Sequence, residues 1–157
     1  MTATTRIVRH IDATPARVYA ALLDPSAVQQ WMVPDGMTSE VHHFEARQGG
    51  SFRISLSYDD DSRTGKSHAH TDTFHGVFRQ LVRDRQVVQL VEFETDDPSM
   101  QGEMTITYTL DPDGQGGTRL TGVHEGLPRG VDPADNELGW KISIDRLARL
   151  VSDANRS

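Results

Sequence analysis

Seven histidines and no cysteine give this chain imidazole chemistry and exclude thiol chemistry. No disulfide, zinc–thiolate site, iron–sulfur cluster or thiol nucleophile can form. Imidazole titrates near neutrality and ligates metals, so each histidine cluster is a candidate for acid–base or metal chemistry. His68-Ala69-His70 lies downstream of Asp59-Asp60-Asp61, a donor set that a divalent ion would in principle recruit. Its spacing matches no rigid ligand set, and a solvated loop accounts for it, so no metal and no cofactor is expected. In His42-His43, strand alternation sends His42 to the face of Phe44 and His43 to that of Val41, so one imidazole should point inward. His124 shares a strand face with Leu120 and Gly122, opposite Thr121, Val123 and Glu125. If Leu120 is core, His124 reaches the inner surface. Its ordinary role there is a hydrogen bond to a backbone carbonyl, and its functional role is contact with a ligand. Gly122 packs nothing and weakens a strand, which points to a bulge or to room for a cavity.

Motifs for covalent or phosphate chemistry are missing. There is no G-x-S-x-G elbow and no G-x-x-x-x-G-K loop. His124-Glu125 begins like a zinc-protease helix, but Pro128 stands where the second histidine belongs. Gly114-Gln115-Gly116-Gly117 lies between two strands and reads as a hairpin turn, not a dinucleotide loop. No catalytic residue can be named on these grounds.

Composition narrows the function classes further. A chain of 157 residues suits a single domain spanning 1–157. Hydrophobic residues at 36% and charged residues at 25% describe a folded globular protein. The net charge of −7, with no basic stripe, argues against nucleic acid and against adsorption to anionic membranes. Met1 to Arg6 lacks the apolar core of a signal peptide, and no apolar run is long enough to span a bilayer. A cytoplasmic location without membrane insertion is the expectation, and a homodimer is left open.

The elements that must position these residues follow from local signals. Thr5 to Ile11 reads as a strand. Thr14-Pro15 and Asp24-Pro25 each pair an N-cap with proline at the first helical position, predicting two short helices, the second ending near Trp31-Met32. From Met37 the period becomes two. Val41 to Arg47, a Gln48-Gly49-Gly50 turn and Phe52 to Tyr58 form a hairpin, with Phe52, Ile54, Leu56 and Tyr58 on one face. Asp59 to Thr71 reads as a long polar tip. Strands follow at Thr73 to Val82, Val87 to Glu94, Glu103 to Leu110 and Thr118 to Glu125. Their short connections imply an antiparallel meander. A final helix starts at Asp132-Pro133 with Asp135 and Glu137 early and Arg146 and Arg149 later, an order that complements the helix dipole. Trp140, Ile144, Leu147 and Val151 share one face of it. Gly139 in its interior costs about 1 kcal/mol relative to alanine. Close approach to the sheet, or space left for something bound, would compensate.

Several segments, taken together, resemble a known family. They are Phe44 to Arg53, His75-Gly76-Val77-Phe78-Arg79, Glu92-Phe93-Glu94, Gly117 to Thr121, and His124-Glu125-Gly126-Leu127-Pro128 through Asn136-Glu137 to Gly139-Trp140. In this order, over nearly the whole chain, they look like the bacterial SRPBCC proteins, and more narrowly the Aha1-like C-terminal domain of activators of the heat-shock-protein-90 ATPase. The resemblance implies an α+β helix-grip (START-like, Bet v 1-like) fold: a curved antiparallel sheet around a long C-terminal helix, with two short helices after the first strand. It also implies a hydrophobic cavity for lipid- or polyketide-like molecules. Carried over residue by residue, the wall would include Phe52, Ile54, Leu56, Phe93, Met104, Tyr108, Trp140 and Ile144, with His124 near the mouth. His124, Tyr58 or Tyr108 would orient the ligand.

The resulting expectation is a protein that binds a small apolar molecule between sheet and helix. Filling the cavity with Gly122→Leu or Ile54→Trp should then weaken binding while the fold survives. The alternative is a cyclase- or aromatase-type enzyme in the same cavity, with His124 or His42 as general acid–base. A module that stimulates the ninety-kilodalton chaperone's ATPase ranks third.

Overall fold

The computed structural model describes residues 3–33, 36–58 and 71–155. Strand β1 (Ala3–Ile11) leads into helices α1 (Pro15–Leu22) and α2 (Pro25–Trp31). Six strands follow: β2 (Met37–Phe44), β3 (Ser51–Tyr58), β4 (Thr71–Val82), β5 (Gln86–Phe93), β6 (Met104–Pro112) and β7 (Thr118–Leu127). Helix α3 (Pro133–Asn155) closes the chain. Both short helices start at the predicted caps: Thr14 Oγ1 accepts from Arg17 N at 3.3 Å and an Asp24 carboxylate oxygen accepts from Ser26 N at 3.0 Å. Proline follows each cap, where its missing N–H costs nothing. The Trp31 indole donates to Ala21 O at 3.1 Å and ties α2 to α1. Asp132 caps α3, accepting from Ala134 N at 3.0 Å. A turn of 3-10 helix at Pro98–Met100, capped by Asp97, interrupts the link from β5 to β6, which carries no apolar periodicity to announce it.

The seven strands form one antiparallel sheet in the order β1-β7-β6-β5-β4-β3-β2. From β2 to β7 it is the expected meander, because short links join only neighbours. The α1–α2 pair carries the chain from β1 at one edge to β2 at the other. Bulges in β2 and β4 break strict alternation and bend the strands. This is the helix-grip architecture, with α3 laid along the inner face. Ile144, Leu147, Ala148 and Val151 of α3 bury against Ile7, Ile11, Leu110, Leu120 and the short helices. Near the other edge, Phe44, Phe52 and Phe78 pack ring to ring at centroid distances of 5.1 to 6.3 Å. Among the described residues, no helix is long and apolar enough to cross a membrane.

The β2 bulge overturns one reading. Val41 pairs with Ile54 and His43 with Arg53, so His42 is the extra residue. Two successive histidines therefore fall on the outer face, and neither points inward. His42 Nε2 lies 2.7 Å from Ser55 Oγ, and its Nδ1 lies 3.0 Å from Glu40. The polar tip with Asp59 to Asp61, His68 and His70 lies outside the described residues.

Candidate functional site

The C-terminal half of α3 packs on the sheet, but its N-terminal half does not fill the space beneath it. A cavity of about 400 Å³ remains there. Its floor is the inner face of the sheet: Leu56 on β3, Asp72 and Phe74 on β4, Gln89, Val91 and Phe93 on β5, Met104, Ile106 and Tyr108 on β6, and His124 on β7. Its roof is Asp135, Asn136, Gly139, Trp140 and Ser143 of α3, and Trp31, Met32 and Met37 close one side. An apolar, aromatic-rich concavity with a few polar groups is the usual form of a small-molecule site.

Of the residues singled out from sequence, Leu56, Phe93, Met104, Tyr108, His124 and Trp140 come together on this wall. Phe52, Ile54 and Ile144 are buried behind it in packed core. Tyr58 ends β3, and its side chain lies outside the described residues.

The polar groups are held by their neighbours. His124 is 8% exposed and packs edge-on against Trp140 at 5.7 Å. Its Nδ1 faces the Asn136 amide nitrogen at 3.3 Å, and that nitrogen also reaches Thr5 Oγ1 at 3.4 Å. An amide nitrogen only donates, so Nδ1 accepts and the ring proton sits on Nε2, 3.1 Å from Met104 Sδ. Burial pushes the imidazole down to about 4, so it is neutral near pH 7. The expected backbone-carbonyl partner is thus replaced by a side-chain amide and a sulfur. With both nitrogens engaged, His124 orients the wall and has no free nitrogen to exchange a proton with a substrate. His42, on the outer face, does not border the cavity.

Gly122 marks neither a bulge nor a void. Its ladders to β1 and β6 are continuous. A Cβ there would stand 2.7 Å from Trp140 Cη2, so the missing side chain seats the indole. Gly139 is the opposite case: a Cβ would meet nothing within 4 Å. The indole so seated donates from Nε1 to Tyr108 Oη at 3.3 Å. Burial raises the Tyr108 phenol to about 12, which keeps it protonated.

Sequence reasoning missed Gln89, Asp72, Asn136 and Ser143. The signal for Gln89 was its phase: it stands between Val87 and Val91 on the inward face of β5, where a polar residue is out of place. Asp72 likewise shares the phase of Phe74. Asn136 and Ser143 lie four before and three after Trp140, on the same helix face.

A second concavity, about 410 Å³, lies on the outer face between His43, Arg53, His75, Glu92 and Glu103. Its one guanidinium is spent on a neighbouring carboxylate. Arg53 donates to both Glu94 oxygens at 2.9 and 3.0 Å, and His75 Nδ1 lies 3.0 Å from the same carboxylate. The Arg53 guanidinium, and then His75, hold Glu94 below the usual carboxylate range. The line Glu40–His42–Ser55 beside it has the order of a proton relay. Ser55 is however buried, 2.8 Å from Thr73 Oγ1 and paired on both sides of its strand, and neither it nor His42 borders either of these concavities. The inner cavity is the better candidate because aromatic and aliphatic side chains dominate its lining, whereas charged and polar ones dominate that of the outer concavity.

Residues 12–152 match the family described as activator of Hsp90 ATPase homolog 1-like protein. The chain belongs to this family. Among solved structures, the Aha1-like chain is similar to protein CV1439 of Chromobacterium violaceum, with 33% identity and a TM-score of 0.85 over 94% of this chain and 96% of that one. It is also similar to a protein of Rhizobium loti, with 29% identity and a TM-score of 0.72 over 95% and 96% of the two chains. An Arthrobacter aurescens protein at 18% identity and a TM-score of 0.78, over 96% of this chain and 86% of that one, shares the Aha1-like fold. No curated protein matches the chain significantly.

Proposed function

We propose that this protein binds a small hydrophobic molecule in the cavity between the sheet and the N-terminal half of α3. The observation that carries the reading is the cavity of about 400 Å³, walled by two tryptophans, a tyrosine, two phenylalanines and aliphatic side chains. An apolar ligand entering it leaves water for a wall already shaped by packing, which is the favourable transfer that drives such binding. Membership in a family of helix-grip proteins agrees with this reading. The engaged nitrogens of His124 favour a binder over an acid–base enzyme.

Native mass spectrometry of gently purified protein, followed by calorimetric titration with acetylnaphthalene, tests the proposal. The expected result is a retained small molecule, or saturable binding at one site per chain. Protein that retains nothing and shows no saturable binding refutes it.

A further inference from the structure

We propose that the deep end of the cavity is a polar subsite, formed by Tyr108 Oη, the Gln89 amide and Ser143 Oγ, that selects neutral ligands carrying a carbonyl or similar hydrogen-bond acceptor. This rests on the binding reading above and names the ligand class.

Gln89 is 4% exposed, faces the cavity, and makes no side-chain hydrogen bond to another described residue. Its amide atoms still reach solvent through the cavity, so an apolar ligand that strips them of water leaves them unpaired at a cost of about 1–3 kcal/mol, a cost that a hydrogen-bonding ligand avoids. Tyr108 adds a directed donor. Its oxygen accepts from the Trp140 indole, and its own proton has no acceptor among the described residues, so it is free to donate into the cavity. Gln89 pairs with Ile106 and Val87 with Tyr108, which makes Gln89 and Tyr108 diagonal neighbours on the inner face. Ser143, 5% exposed, faces the same cavity from α3, one turn beyond the Trp140 that orients Tyr108. Two of these groups are amphoteric and one is a directed donor, an arrangement suited to a carbonyl or hydroxyl.

Charge defines what the subsite rejects. Among the described lining residues the charged side chains are the carboxylates of Asp72 and Asp135, with no lysine or arginine. An anionic ligand such as a free carboxylate would find no cation to pair with among these described residues, which disfavours it. A plain hydrocarbon would enter but leave Gln89 and Tyr108 unpaired.

Isothermal titration with three probes of similar shape tests the inference: acetylnaphthalene, isopropylnaphthalene and naphthoate. The ketone should bind about fivefold to tenfold more tightly than the hydrocarbon, as one neutral hydrogen bond or two predict, and naphthoate more weakly than either. Gln89→Leu and Tyr108→Phe should each reduce the ketone's advantage, while the hydrocarbon binds both variants at least as well as the wild type and so reports that they fold. Equal affinity for ketone and hydrocarbon, or preference for naphthoate, overturns the polar subsite and leaves the apolar cavity standing. Absence of binding by all three probes, in protein that also retains no small molecule, overturns both.

Discussion

Gly139 separates the cavity from the fold in one position. It lies inside α3, where glycine costs about 0.5–1 kcal/mol relative to alanine because it has the most backbone freedom to lose. A Cβ there meets nothing within 4 Å, so Gly139→Ala introduces no clash. The variant should gain about 0.5–1 kcal/mol, which for a domain of this size raises Tm by about 1–4 °C. Gly139→Phe keeps part of that propensity gain and adds a ring. An apolar void of about 150 Å³ holds one benzene, so the phenyl group takes up more than a third of the roughly 400 Å³. Excluding even about 60 Å² of ligand surface, at about 25 cal/mol per Å², costs about 1.5 kcal/mol, or roughly tenfold in affinity. Differential scanning calorimetry and titration with acetylnaphthalene read the two effects separately. A Gly139→Phe protein with wild-type Tm and unweakened binding would show that the ligand sits elsewhere. A Gly139→Ala protein with lowered Tm would show that the helix is packed where it is described as open.

Two further predictions concern the wall itself. The unfolded His124 imidazole, near its ordinary 6.5, takes up a proton before the buried ring near 4 does, so acidification favours the unfolded chain. The contribution is fully present above about pH 6.5, falls as pH drops, and from about pH 7 to pH 5 amounts to roughly 2 kcal/mol. Urea unfolding across that range should be flatter in His124→Gln; identical slopes would remove the buried neutral imidazole from the account. Gly122→Leu, which the sequence reading treats as a cavity filler, should instead displace the Trp140 ring and destabilise by about 1–3 kcal/mol, seen as a lower denaturation midpoint at unchanged m. Wild-type stability in that variant would contradict the seating of the indole.

Period and capping by themselves determined the architecture, because they are local. Thr14-Pro15, Asp24-Pro25 and Asp132-Pro133 satisfy orphan N–H groups within a few residues, and alternation of Phe52, Ile54 and Leu56 depends only on the pleat. Short links then left little choice but a meander, and the spacing of Trp140, Ile144, Leu147 and Val151 marked the face of α3 that packs. Tertiary structure decided what depends on partners far away in the chain. The β2 bulge moved His42 outward, since one extra residue reverses a period-two pattern. Gly122 and Gly139 look alike in sequence, yet one is filled by an indole from α3 and the other faces open space. Phe52 and Leu56 share a strand face, but only Leu56 reaches the cavity, because the curvature of the sheet and the position of α3 set where packing stops. Gln89 had a local signal, a polar residue in an apolar phase; its lack of a side-chain partner among the described residues could be known only once those neighbours were in place.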